Sequence, residues 1–164
     1  MKLLLLILLT GCLQNSQAQA DPGSSVLQNI QQLPSFTIIR IPDSTDFRSE
    51  TLEKGKPVII MFFNPDCDHC QKEAKELLAY KEELKDIQVV MLSPASFIQV
   101  KTFYEAYNMA AMPNVTMGLD VNYVMGLRYR PTNYPALFIY DAAGKLAKAF
   151  VGNVGVPKII DALK

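Results

Sequence analysis

Apolar runs and amphipathic stretches alternate along most of this chain. Phe36 to Ile41 is β-prone, with Phe36, Ile38 and Arg40 directed to one face and Ile39 and Ile41 nearer the other. Pro42-Asp43-Ser44-Thr45 is turn chemistry, and a short second strand around Phe47 completes a predicted hairpin. After Gly55-Lys56-Pro57, the run Val58 to Phe63 is continuously apolar and rich in β-branched and aromatic residues, which predicts a central strand buried on both faces. Asn64-Pro65 ends it. A helix follows, with Ala74, Leu77, Leu78 and Leu84 on one face and Lys72, Lys75, Glu76 and Glu83 outside. Ile87 to Leu92 reads as the next strand. Ser93-Pro94 opens a second helix, in which Phe97, Val100, Tyr104 and Tyr107 recur at helical spacing. Asn114 to Met117 is a short strand, and Asp120 is placed to cap a brief helix through Val124 and Leu127. Beyond the rigid loop Pro131 to Pro135 come the strand Ala136 to Tyr140, the turn Asp141 to Gly144, the strand Lys145 to Val151, and a closing helix Val156 to Leu163 with Pro157 near its first turn. The order β-α-β-α, then β-β-α, preceded by the hairpin, predicts one α/β domain without internal repeats.

The first residues do not fit this pattern. Met1 and Lys2 precede an unbroken apolar run, Leu3 to Leu9, which is far shorter than the ~20 residues a membrane-spanning helix needs. It reads as the core of an export signal. Leu9-Thr10-Gly11-Cys12 directly abuts the run and resembles the lipobox of bacterial lipoproteins, in which the cysteine becomes the lipidated N-terminus. Ala18-Gln19-Ala20 before Asp21 is a competing small-residue cleavage site. From Gln14 to Ser25 the chain is polar and cannot bury enough surface to hold a fold. The expected partition is an export signal over residues 1–12, a flexible tether over 13–34 and the folded domain over 35–164. Such a protein is expected in the periplasm, held to a membrane by a lipid on Cys12, with a soluble periplasmic form as the alternative.

Composition narrows the chemistry. Acidic and basic residues balance at 16 each, and no basic block exists, so nothing points to nucleic acid. Of the three cysteines, Cys12 falls in the leader and leaves the single pair Cys67 and Cys70 in the folded part. A lone close pair more often serves redox chemistry than structural stapling.

A thiolate, not a thiol, attacks a disulfide. The predicted junction of strand and helix puts Cys67 where unpaired N–H groups and the helix dipole favour negative charge. Cys70, one turn inward, can close a disulfide with Cys67 or release a mixed disulfide. Cys67 is therefore the candidate nucleophile and Cys70 the resolving residue. His69, the only histidine, can support the thiolate by a hydrogen bond or a positive charge, while Asp66 and Asp68 oppose it. Glu73 lies three residues beyond Cys70 on the same helical face. If partly buried, it could take the Cys70 proton; the plainer reading is a solvated glutamate on a charged helix. A structural zinc site needs four ligands, and no further cysteine or histidine follows the leader to complete one, so no metal is expected.

The segment Pro57 to Glu73, with Tyr134-Pro135 before a strand and Asp141-Ala142-Ala143-Gly144-Lys145 after it, resembles the TlpA/ResA-like thiol–disulfide oxidoreductases, exported bacterial proteins of the thioredoxin superfamily related to the AhpC/TSA proteins. The resemblance spans residues 36–164. It implies a thioredoxin-like fold, a central mixed sheet flanked by helices with the N-terminal hairpin as an extension. It implies that Pro135 is cis and faces the cysteine pair, that the Tyr134 backbone pairs with an incoming substrate chain, and that Glu73 stands beside the pair. The sequence departs from the family where a tryptophan usually precedes the first cysteine (here Asp66) and where a proline commonly lies between the cysteines (here Asp68 and His69). The related peroxiredoxins carry a threonine three residues before their reactive cysteine; here that residue is Asn64. The resulting expectation is an exported enzyme without cofactor that reduces disulfides in other proteins and draws electrons from a membrane or periplasmic donor. Its alternatives are a peroxiredoxin-like peroxidase and a non-catalytic thioredoxin-like binding module.

Overall fold

The computed structural model describes residues 29–163. The expected export signal, the lipidation candidate Cys12 and the expected tether up to residue 28 lie outside the described residues. Seven strands form one sheet: β1 (Thr37–Ile41), β2 (Asp46–Arg48), β3 (Val58–Phe62), β4 (Gln88–Ser93), β5 (Val115–Leu119), β6 (Ala136–Tyr140) and β7 (Leu146–Val151). Their spatial order is β2-β1-β5-β4-β3-β6-β7. β3, β4 and β5 run parallel, whereas β1 joins β5, and β6 joins β3 and β7, in antiparallel register. The sheet is thus mixed, and the predicted N-terminal hairpin extends it on the β5 side, with β2 at the edge.

The continuous apolar run becomes the centre for a simple reason. All five residues of β3 are buried, because helices cover both faces of the sheet there. Ile59, Met61 and Phe63 face a core closed by α1 (Asp68–Ala79), α2 (Phe97–Ala106) and α4 (Val156–Asp161), which contribute Ala74, Leu77, Val100, Phe103, Val156 and Ile159. Val58, Ile60 and Phe62 face a second core that includes Met125 and Tyr129 of the short helix α3 (Val124–Tyr129). Asp120 caps α3 as expected, accepting from the N–H groups of Met125 and Gly126 at 2.9 and 2.7 Å.

Most boundaries shift by a few residues against the sequence reading, and two of the differences bear on the core. α1 ends at Ala79 rather than continuing to Leu84; the chain turns there, and Leu84 still reaches the core from the turn. The folded unit also begins earlier than the expected start at 35. Ile30 is fully buried in the second core, and its carbonyl accepts a 3.0 Å bond from the Tyr140 hydroxyl, itself bonded to Tyr129. Leu33 donates its N–H to the Gly144 carbonyl, and Gln31 accepts from the Leu146 N–H. Residues 30–33, read by composition as the end of the tether, are therefore docked. Burying an isoleucine contributes about 1.5–3 kcal/mol, and the hydrogen bonds to Tyr140, Gly144 and Leu146 add to the hold on this stretch.

Candidate active site

The site is built where β3 stops. The Phe63 N–H still bonds the Leu92 carbonyl of β4, at 2.9 Å. Asn64 then turns the chain: its side-chain oxygen accepts from the Asp66 N–H and its carbonyl from the Cys67 N–H. Cys67 takes the N-cap position of α1 in an extended conformation, and no side-chain cap occupies it. Its carbonyl accepts from the N–H groups of Cys70 and Gln71. The thiol therefore stands at the positive end of a helix whose first N–H groups lack intrahelical partners. Gln71 reaches back to the Pro65 carbonyl, and Gln99 of α2 reaches across to the Asp66 carboxylate. The loop is tied to both neighbouring helices.

Opposite Cys67 lies the Tyr134-Pro135 turn, whose peptide is cis. The Cys67 Sγ is 3.6 Å from the Tyr134 carbonyl oxygen. Pro135 is buried and Tyr134 half-buried, and burial pushes the Tyr134 hydroxyl up to about 12, with the Tyr123 side chain adding to the shift. Tyr123 adopts a left-handed backbone, and its ring lies over Gly126; a Cβ at Gly126 would fall 2.0 Å from that ring. The α3 segment thus forms a wall beside the cis-proline turn.

The two cysteines are both free thiols, yet their surroundings differ. Cys67 is partly exposed; Cys70 is buried. Removal from water pushes the Cys70 thiol up to about 12, with the Cys67 side chain and the Glu73 carboxylate adding to the rise and the Asn64 backbone opposing it. Glu73 is fully buried, so the solvated placement does not hold. Its Oε2 accepts a short hydrogen bond from the Asn153 amide, while Oε1 has no partner among the described residues. Burial holds its carboxyl above the usual range, against the opposing bonds from Asn153 and the Val154 backbone. His69 is exposed on the first turn of α1.

The structure therefore brings Cys67, Cys70, Glu73, Tyr134 and Pro135 into one site, with His69 on its rim. Sequence reasoning missed Asn153, Tyr123 and Gln99. Asn153 is 80 residues from its partner Glu73, and no periodicity connects them; its only sequence signal is a place between two turn glycines, Gly152 and Gly155.

The AhpC/TSA family profile matches residues 30–149. No curated protein matches the chain. Among solved structures, the fold is similar to a secreted Mycobacterium tuberculosis disulfide oxidoreductase homologous to E. coli DsbE, with 23% identity and a TM-score of 0.66 over 83% of this chain and 98% of that one. It is also similar to the exposed lipoprotein thioredoxin Etrx1 of Streptococcus pneumoniae, with 20% identity and a TM-score of 0.63 over 79% of this chain and 100% of that one. Peroxidoxin BcpB of M. tuberculosis is 15% identical with a TM-score of 0.65, over 80% of this chain and 92% of that one. At these identities the likeness establishes a thioredoxin-like fold.

Proposed function

We propose that this chain, which belongs to the AhpC/TSA family, works as an exported thiol–disulfide oxidoreductase that reduces disulfides in other proteins through Cys67 and Cys70. The observation that carries this reading is the unequal pair itself: a partly exposed thiol at the head of α1, a buried thiol behind it, and an accepting backbone carbonyl across from the first.

The chemistry follows from that arrangement. The Cys67 thiolate attacks one sulfur of a substrate disulfide. The substrate S–S bond breaks, a Cys67–substrate S–S bond forms, and the departing substrate sulfur takes a proton from solvent. The Tyr134 backbone and Pro135 support an extended substrate segment beside Cys67. Cys70 must then lose its proton, which its surroundings resist. Glu73, buried on the same helical face with Oε1 unpartnered, is the proposed acceptor. The Cys70 thiolate attacks the Cys67 sulfur, the Cys67–Cys70 bond forms as the Cys67–substrate S–S bond breaks, and the second substrate sulfur leaves as a thiolate that takes up a proton from solvent. Two electrons pass from the enzyme dithiol to the substrate, and a membrane or periplasmic dithiol donor restores the pair. His69 is proposed as an electrostatic support for the first step.

Export rests on the Leu3–Leu9 run and the lipobox at Cys12; an acylated Cys12 at the mature N-terminus, read by mass spectrometry, is the expected outcome, and a mature chain starting at Asp21 would refute the anchor. A peroxide-reducing activity is the rival chemistry that the family and the peroxidoxin similarity suggest. Insulin reduction measured beside peroxide consumption separates the two. Fast insulin reduction with slow peroxide turnover is expected, because Asn64 stands where a peroxiredoxin has its threonine; the reverse pattern would overturn the proposal.

A further inference from the structure

The buried carboxylate of Glu73 is fixed from outside its own helix. The loop that joins β7 to α4, residues 152–155, carries Asn153 between Gly152 and Gly155, both at a φ of 82°. The left-handed region at these two positions suits glycine and lets a tight loop lie against α1. The loop is held at both ends: the Gly152 N–H donates to the Pro135 carbonyl at 2.7 Å, and the Gly155 carbonyl accepts from the Lys158 N–H at 3.1 Å. Between these anchors the Asn153 amide donates to Glu73 Oε2, and Glu73 Oε1 is left buried and unpartnered. An unpaired buried carboxylate oxygen is costly, and a proton is the simplest partner that can come and go there.

We infer that Asn153 is a positioning residue for the Cys70 proton transfer, its side-chain amide fixing Glu73 through Oε2 and leaving Oε1 open to receive the proton. The inference rests on the reading of Glu73 as acceptor. In the step itself the Cys70 S–H bond breaks and an O–H bond forms on Glu73; no electrons change hands until the thiolate attacks Cys67. The amide donor stabilises the charged carboxylate, so it keeps Glu73 able to accept at neutral pH against the burial that favours its protonated form. The other groups facing this carboxylate are few. Cys70, Glu76 and Lys72 share its helix, Glu76 raising its proton affinity and Lys72 lowering it; the Val154 backbone bonds it from the loop. Lys158 and Asp161 on α4 are exposed. Because the same loop bonds Pro135, the fixing of Glu73 and the seating of the substrate-side turn are mechanically joined.

The test uses the full chain and a model disulfide substrate, with stopped-flow measurement of mixed-disulfide formation and of its resolution across a pH series. Asn153→Ala should leave Cys67 attack unchanged and move the midpoint of the resolution profile upward by about one to two pH units, the size expected for losing a hydrogen bond to a charged group. Resolution at pH values below the parent's midpoint then falls by a factor of about ten to a hundred. Asn153→Asp keeps the shape but puts a carboxyl where the donor was, and should move the midpoint further still. An unmoved midpoint in both variants, alongside slowed resolution in Glu73→Gln, would overturn the role of Asn153 and leave that of Glu73 standing. Equal slowing of attack and resolution with the midpoint in place would also overturn it, as the mark of general loosening. If Glu73→Gln resolves normally, the acceptor reading fails first and the inference with it.

Discussion

The outer turn of α1 and the face it directs inward treat the same chemical group in opposite ways. Cys67, at the N-cap, has water on one side, free helix N–H groups on the other and the Tyr134 carbonyl across from it. Cys70, one turn on, sits among Ala74, Leu77 and the Phe63 end of β3, where burial pushes its thiol up to about 12. The difference teaches a division of labour. An outward thiol can meet a substrate but must be prevented from holding it; an inward thiol can displace the substrate but needs help to ionise. A helix dipole serves only the first. The second requires a base inside the protein, and Glu73 is the buried carboxylate at hand.

Exchanging sulfur for oxygen breaks this comparison outright. Cys67→Ser should abolish disulfide reduction, because no other described thiol is exposed to attack. Cys70→Ser should instead accumulate a stable mixed disulfide at Cys67, visible as an added substrate mass on non-reducing analysis. Full turnover by Cys70→Ser would show that Cys70 resolves nothing.

Glu73→Gln sharpens the comparison from the inward side. Loss of a general base costs roughly a hundredfold or more, so resolution near neutral pH should slow by that factor while Cys67 attack persists. Stability should move the other way. Glu73 has its folded-state value raised above 4.5 by burial, so the fold is penalised wherever the carboxyl is ionised in the unfolded chain but resisted in the folded one. That penalty is absent below the ordinary carboxylate range and grows as pH rises above it. The variant's melting temperature should therefore match the parent near pH 4 and exceed it at pH 7. A lower melting temperature at both values would mean that the carboxylate supports the fold rather than strains it.

Removing the outer wall tests whether Cys67 depends on its surroundings. Asp120 holds α3 by two backbone bonds, and α3 with Tyr123 flanks the Tyr134-Pro135 turn. Asp120→Ala should cost about 1–2 kcal/mol, as loss of a helix cap does, and should raise KM for a protein substrate more than it lowers the rate of attack on a small disulfide. Equal effects on both substrates would detach the wall from substrate binding.

Much of this arrangement was legible before the structure. The apolar run ending at Asn64-Pro65 located the strand–helix junction, and the spacing of Cys67, Cys70 and Glu73 put all three near one helix start. Asp120 announced a cap through its place ahead of a short apolar segment. What remained hidden involved partners distant in sequence. Whether Glu73 faced water or the core depended on the loop at Asn153, which arrives from the β7 edge of the sheet. Ile30 looked like one apolar residue in a polar tether because its pocket is made by Tyr129 and Tyr140, more than half the chain away. Local pattern reports the period of an element; it does not report which distant loop closes over it.

The smallest expected effect belongs to the residue that looks most catalytic in the sequence. His69 lies within the cysteine motif and is the only imidazole in the chain. Yet it is exposed on α1, and its side chain makes no hydrogen bond or ion pair among the described residues. An exposed charge acts through water, where its interaction with a neighbour is screened within about 10 Å at moderate salt. A protonated imidazole at a helix start also works against the helix dipole, which favours anions there. On the Cys67 thiolate itself the dipole and a protonated imidazole act in the same direction, so it is screening by water that keeps the share of His69 small. His69→Ala should then change the rate of Cys67 attack by no more than about twofold, within the ~0.5 kcal/mol typical of a surface substitution, and the change should shrink as salt is added. The measurement is the attack rate on a model disulfide at low and high ionic strength, from pH 5 to pH 8. A tenfold loss that persists in high salt would show that His69 bonds the thiolate directly once substrate is present, and would move it from the rim of the site to its centre.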